Sequence, residues 1–114
     1  MLKRIEKQVE LIDELVRELR FETSYRGIER LVQLISQALL DLGLMIISVL
    51  GGRTPRSYSE VGVILHEIKV INESDSKLLK SMAGLRNVLV HLYATIDRDK
   101  VLKFAKKLHE DAQN

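Results

Sequence analysis

MAGLRNVLVHLY, residues Met82 to Tyr93, carries two patterns at once. With Arg86 set at zero and about 100° of rotation per residue, Val88, Leu92, Leu85, Leu78, Leu89 and Met82 fall between roughly 200° and 320°. An apolar arc of that width predicts an amphipathic helix with this face in a core. Tyr93, Arg86, Val90, Asn87 and His91 fill the remaining arc. Asn87 and His91 are i, i+4 neighbours, and Arg86 and Tyr93 lie about two turns apart. The helix, expected over Lys77 to about Tyr93, buries one face and offers a cation, an amide, an imidazole and a phenol on the other.

Working outward, the same periodicity recurs along the chain. Ile5, Val9, Ile12, Val16 and Leu19 step by three and four residues, which predicts a first helix over Leu2 to Phe21. Thr23 or Ser24 can cap a long second helix from Tyr25 to Leu50, which Gly51 and Gly52 end. GGRTPRS, Gly51 to Ser57, holds the single proline and is the strongest break in the pattern. Tyr58-Ser59-Glu60 opens a third helix to about Val70. NESDS is a break with capping residues, and Asp97 can cap a last helix from Arg98 to Ala112. No segment alternates apolar and polar residues long enough to argue for a strand. The expected fold is all-α, an up-and-down bundle of about five helices forming one domain over residues 1–114.

Composition narrows the function classes. The 114 residues are 46% hydrophobic and 30% charged, an ordinary globular mixture. With two Phe, three Tyr and no Trp, the core must be aliphatic. No cysteine means no disulfide and no thiolate-bound metal, in keeping with a reducing compartment. The N-terminal MLKRIEKQVELIDEL mixes charges with apolar residues, unlike a signal peptide. The run Leu42 to Ile47, with its flank to Leu50, is well short of the ~20 residues that span a bilayer. A cytoplasmic protein with no membrane partner is expected. The net charge of +2 is too small to announce a nucleic-acid partner by itself.

The bare spacing Arg-x4-His would arise by chance roughly 0.24 times with this many arginines and histidines, so it weighs little alone. The longer string weighs more. MAGLRNVLVHLY resembles the R-x4-H-x-Y motif of the HepT-like toxins, a branch of the HEPN superfamily, including its lead-in of Met, a small residue, Gly and an apolar residue. IERLVQLISQALLDLG, Ile28 to Gly43, is similar to that family's second helix at Glu29-Arg30, Gln33 and Asp41. RSYSEV around Ser57 to Glu60 resembles its post-loop helix start, and Ile96-Asp97 also fits. The likeness covers roughly residues 25 to 100. Leu92 departs from the frequent Glu or other polar residue there, and the chain is somewhat short, which could trim contacts to a partner.

The resemblance implies a HEPN-like helical bundle that forms a homodimer, with two motif helices sharing a cleft. It implies a metal-independent endoribonuclease with an RNA substrate and no cofactor. It also implies a cognate MntA-like nucleotidyltransferase antitoxin that silences the toxin by adding AMP to the motif tyrosine. Carried over residue by residue, the catalytic set is Arg86, Asn87 and His91, and the AMP acceptor is Tyr93. The alternative is a non-catalytic nucleotide- or RNA-binding partner subunit of a nucleotidyltransferase, since Arg, Asn and His also serve to bind phosphate.

The chemistry suits these residue types. Metal-free RNA cleavage needs a base for the 2′-hydroxyl proton, an acid for the leaving 5′-oxygen, and positive charge on the phosphorane. Histidine titrates near pH ~6.5, and arginine is a permanent cation whose planar fork matches phosphate oxygens. Asn87 can donate to phosphate or orient His91. Arg30, Gln33, Gln37 and Asp41 climb the second helix at three- and four-residue steps. That stripe either faces water or lines the cleft opposite Arg86, where Arg30, Gln33 and Asp41 would support the site and Asp41 could hold His91 or Arg86.

Overall fold

The computed structural model describes residues 2–91 and 102–108, with the backbone alone for Val90 and His91. The expected helix ends Leu92 to Tyr93 and Arg98 to Val101, the Asp97 cap and the stretch beyond Leu108 lie outside the described residues. Among the described residues every regular element is helical: α1 (Leu2–Phe21), α2 (Tyr25–Leu50), a single 3-10 turn (Tyr58–Glu60), α3 (Val61–Glu67), α4 (Glu73–His91) and α5 (residues 102–108).

α1 and α2 have the bounds that their patterns predict. Ser24 caps α2, its Oγ accepting from Gly27 N–H at 3.0 Å, an interaction of about 1 kcal/mol. The Glu22 carboxylate accepts from the N–H and Oγ of Ser24, which holds its pKa below the ordinary glutamate value. At the other end Gly51 takes φ 73°, the left-handed conformation that closes a helix cheaply only for glycine. Residues 22–24 turn the chain back, so α2 lies antiparallel along α1. Gln8 Nε2 donates to the Ala38 carbonyl across the pair.

Two elements differ from expectation. α3 ends at Glu67 rather than near Val70, because Lys69 adopts φ 64°. Val70 N–H then reaches the Leu65 carbonyl and Lys69 N–H the His66 carbonyl, a Schellman closure with a lysine in glycine's place. α4 begins at Glu73 rather than Lys77. Asn72 precedes it, its Oδ1 accepting from Asp75 N–H and its carbonyl from Ser76 N–H. Most of NESDS is therefore the first turn of the helix, with Asn72 alone as the stop.

The core forms two aliphatic clusters. One joins α1, α2, α4 and α5 through Leu15, Ile35, Met82, Leu89 and Leu108. The other joins α2, α3 and α4 through Leu40, Val61, Ile64 and Ala83. Full burial of each such Leu, Ile or Val contributes about 1.5–3 kcal/mol. α2 is long and apolar enough, by length and composition, to cross a membrane. Here eight of its residues are buried against the other helices.

α4 is the wedge between the clusters, and this corrects its predicted orientation. Its buried residues are Ser76, Met82, Ala83 and Leu89, an arc that surrounds Arg86 instead of lying opposite it. Val88, expected in the core, is 41% exposed. The cause is close approach by α3. A Cβ on Gly62 would lie 2.6 Å from the Ser76 carbonyl oxygen and 3.1 Å from Leu79 Cβ. The missing side chain of Gly62 lets the backbones meet, which turns this face of α4 toward α3. Gly62→Ala is expected to lower stability by about 1–3 kcal/mol, the usual range for overpacking. Thermal or denaturant unfolding checks this, and an unchanged midpoint would contradict the packing described.

Candidate active site around Arg86

α2, the 3-10 turn and α4 converge on one half-buried side chain, Arg86. Each element arrives for a local reason. On α2, Gln37 and Asp41 are i, i+4 neighbours on the polar side of an otherwise apolar helix. The loop 51–57 is tied down by Arg53, whose guanidinium meets Glu60 at 3.4 Å and Glu67 at 3.1 Å. Arg53 holds the Glu67 carboxyl below its ordinary pKa, mainly through that hydrogen bond. Glu60 also accepts from Arg56 N–H at 3.0 Å. With the loop braced, the turn delivers Tyr58 to the gap between α2 and α4.

The contacts specify direction as well as proximity. Arg86 Nε donates to Gln37 Oε1. Arginine has donors only, so the Gln37 carbonyl oxygen must face it and the amide nitrogen must face away. That nitrogen donates to Asp41 Oδ1 at 3.0 Å and to Tyr58 OH at 2.8 Å. The Tyr58 hydroxyl in turn donates to Asp41 Oδ1 at 3.1 Å. Arg86 Cζ stands 4.6 Å from the centroid of the Tyr58 ring, within cation–π range. Arg86 Nη1 donates to Asn87 Oδ1 at 3.1 Å. The guanidinium is thus held at Nε, beneath its plane and at Nη1.

The expected site residues are placed as follows. Arg86 and Asn87 are adjacent and hydrogen-bonded, Arg86 half-buried and Asn87 exposed. His91 is the last described residue of α4, a little over one turn beyond Asn87. Its side chain, and Tyr93 entirely, lie outside the described residues. The polar stripe of α2 divides. Asp41 meets Gln37 and Tyr58, whereas Arg30 is exposed and donates to Gln33 Oε1 at 3.4 Å. Asp41 does not bond Arg86 directly; Gln37 and Tyr58 stand between them. Among the described residues, no group of three or more His, Cys, Asp or Glu side chains could hold a metal ion.

Tyr58 and the bridging role of Gln37 are what sequence reasoning missed. Gln37 was visible on the α2 stripe but had no partner to distinguish it. Tyr58 sits on an irregular turn after a loop, where helical periodicity says nothing about direction.

On the far side of α4, Ser81, Gly84, Leu85 and Val88 line a groove shared with Lys103, Phe104 and Lys107 of α5. A Cβ built on Gly84 would meet nothing within 4 Å.

Comparison with known proteins fits this architecture. Residues 2–114 match the family model described as Ribonuclease HepT-like. A protein of Archaeoglobus fulgidus named as a candidate RNase is 31% identical over 107 residues, covering 94% of this chain and 80% of its own length. A tRNA nuclease HepT of Aphanizomenon flos-aquae is 37% identical over 75 residues, 64% of this chain and 50% of that one. In three dimensions, the cytosolic protein of unknown function YutE from Bacillus subtilis superposes with a TM-score of 0.83 at 25% identity, over 96% of this chain and 80% of its own.

Proposed function

The chain belongs to the Ribonuclease HepT-like family, and on that premise we propose that it is the toxin nuclease of a toxin–antitoxin pair. In this reading it is a cytoplasmic homodimer that cuts RNA without a metal ion and is silenced by AMP on Tyr93. The observation that carries the reading is the state of Arg86. Its guanidinium is fixed in three directions, yet among the described residues its bonding partners are a neutral amide at each end and an aromatic face. A cation held by neutral groups supports a role in binding phosphate.

Arg86 supplies positive charge to the phosphorane, and His91 supplies the proton transfers. The 2′-oxygen attacks phosphorus as its proton leaves, and the 5′-oxygen departs protonated. One subunit carries one His91, about 7.5 Å along the axis from Arg86. A two-fold dimer supplies two of each around one phosphate. The exposed arc at Ser81, Gly84 and Val88 supports this arrangement, because a second copy seated there would bring the two motif helices together. The relative named as a tRNA nuclease supports RNA as the substrate class.

Control by the antitoxin has a definite readout. The Tyr93 phenol would attack the α-phosphate of ATP on a MntA-like nucleotidyltransferase, with pyrophosphate leaving. The adenylate adds negative charge and bulk beside the cleft that RNA must enter. Incubation with that enzyme and ATP is expected to add whole adenylyl groups to the intact mass, with loss of cleavage. A mass unchanged by the treatment, or the same gain in Tyr93→Phe, would remove this mode of control.

Cleavage of a mixed RNA pool by the purified protein, with EDTA present, tests the proposal as a whole. Cutting separates the nuclease from a subunit that binds nucleotide or RNA and leaves it intact.

A further inference from the structure

We propose that Tyr58 and Gln37 form an anchor for Arg86 that turns Asp41 away from it, so that the arginine is held rigid without Asp41 as its ion-pair partner. This rests on the reading of Arg86 as the phosphate-facing cation. It assigns positioning roles to two residues outside the motif helix.

Three observations lead here. First, a carboxylate is available nearby. Asp41 is within two hydrogen bonds of Arg86, and a direct ion pair would be the ordinary way to hold a half-buried arginine. Second, that carboxylate is already engaged. Its Oδ1 accepts from both Tyr58 OH and Gln37 Nε2. Third, Gln37 passes the orientation on. With both amide hydrogens given to Asp41 and Tyr58, its carbonyl oxygen is fixed toward Arg86 Nε. Asp41 therefore orders the arginine through two neutral intermediaries.

The physical gain is specific. Guanidinium paired to a carboxylate presents a neutralised face to an incoming phosphate. Guanidinium bonded through Nε to an amide and resting on an aromatic ring keeps its charge and its planar orientation. Preorganised charge of this kind needs no reorganisation when the phosphorane forms. Tyr58 contributes twice, by its ring under Arg86 and by its hydroxyl to Asp41 and Gln37, and the two contributions are separable. Tyr58→Phe keeps the ring and loses both hydrogen bonds, while Tyr58→Leu loses both features. Gln37→Glu keeps the size but places a carboxylate on Arg86.

The test follows the Arg86 Nε–Hε signal by nitrogen-edited NMR of the full chain, alongside RNA cleavage in EDTA. In the native protein, Arg86 Hε is expected to exchange with solvent more slowly than that of the exposed Arg17. Tyr58→Leu is expected to remove that protection and to lower kcat about tenfold, with KM changed by less than about twofold. Tyr58→Phe is expected to fall between. Gln37→Glu is expected to keep the protection and still lose about tenfold in rate, because the charge is compensated. In an Arg86→Ala background, Tyr58→Leu should have no further effect on cleavage. Unchanged Hε exchange in Tyr58→Leu would overturn the anchor. An equal loss of rate with and without Arg86 would overturn its action through that residue and reduce Tyr58 to packing. Native protein that protects Arg86 Hε but cuts no RNA would overturn the nuclease reading and leave the anchor standing.

Discussion

His91→Ala is expected to fold and dimerise like the native protein and to lose RNA cleavage in EDTA by about 10²- to 10⁴-fold, the range for removing a general acid–base group. His91 is the last described residue of α4, and alanine is compatible with helix on either side of it. Its intrinsic helix-propensity effect is a few tenths of a kcal/mol, and alanine is the better helix former. Loss of rate would therefore report chemistry. Circular dichroism and sedimentation on the same samples would show whether fold and assembly persist. A variant that cuts at the native rate would mean that proton transfer belongs to some other group.

Arg86→Ala is expected to lower cleavage by about 10²- to 10³-fold, as removal of a preorganised group at a developing oxyanion does elsewhere. The structure adds a sharper expectation for Arg86→Lys. Lysine keeps the charge, but it has no Nε–H to give Gln37 and no plane to rest on Tyr58. Charge alone is therefore expected to restore little of the lost rate. Arg86 also lies in the buried arc of α4 between Met82 and Leu89, so its removal leaves Gln37 Oε1 without its donor. Some loss of stability, about 1–3 kcal/mol for an unsatisfied half-buried acceptor, should accompany the loss of rate. Full rescue by Arg86→Lys would mean that only long-range charge matters at this position.

How much of this was legible in the sequence depends on the kind of signal. α1 and α2 were, because each carries a single apolar stripe and α2 is bounded by cap chemistry that Ser24 and Gly51 then supply. The end of α3 was not, because Lys69 takes a left-handed conformation that composition assigns to glycine. The rotation of α4 was misjudged for a different reason. A helical wheel weighs side chains by hydrophobicity, and Leu78, Leu85 and Val88 outweigh Ala83 and Ser76. Packing on both flanks instead buries Ser76 and Ala83, since Gly62 lets α3 reach the Ser76 carbonyl, where a Cβ would lie 2.6 Å away.

The same limit explains the candidate site. Arg86 and Asn87 were singled out by the motif, but their setting was not legible there. A one-helix projection put Arg86 opposite the core, whereas it lies among buried neighbours and meets a second helix at Gln37. Asp41 was considered a direct holder of Arg86 or His91. It engages Tyr58 and Gln37, and the latter two reach Arg86. Contacts between residues separated by 49 and 21 positions leave no periodic trace in a single chain.

The most direct measurement is a time course of mixed RNA incubated in EDTA with purified native protein, beside an identically purified Arg86→Ala/His91→Ala double variant. The account predicts cutting by the native protein and RNA that stays intact with the variant. Equal cutting by both would place the activity away from this helix or in a contaminant, and intact RNA with both would contradict the nuclease reading.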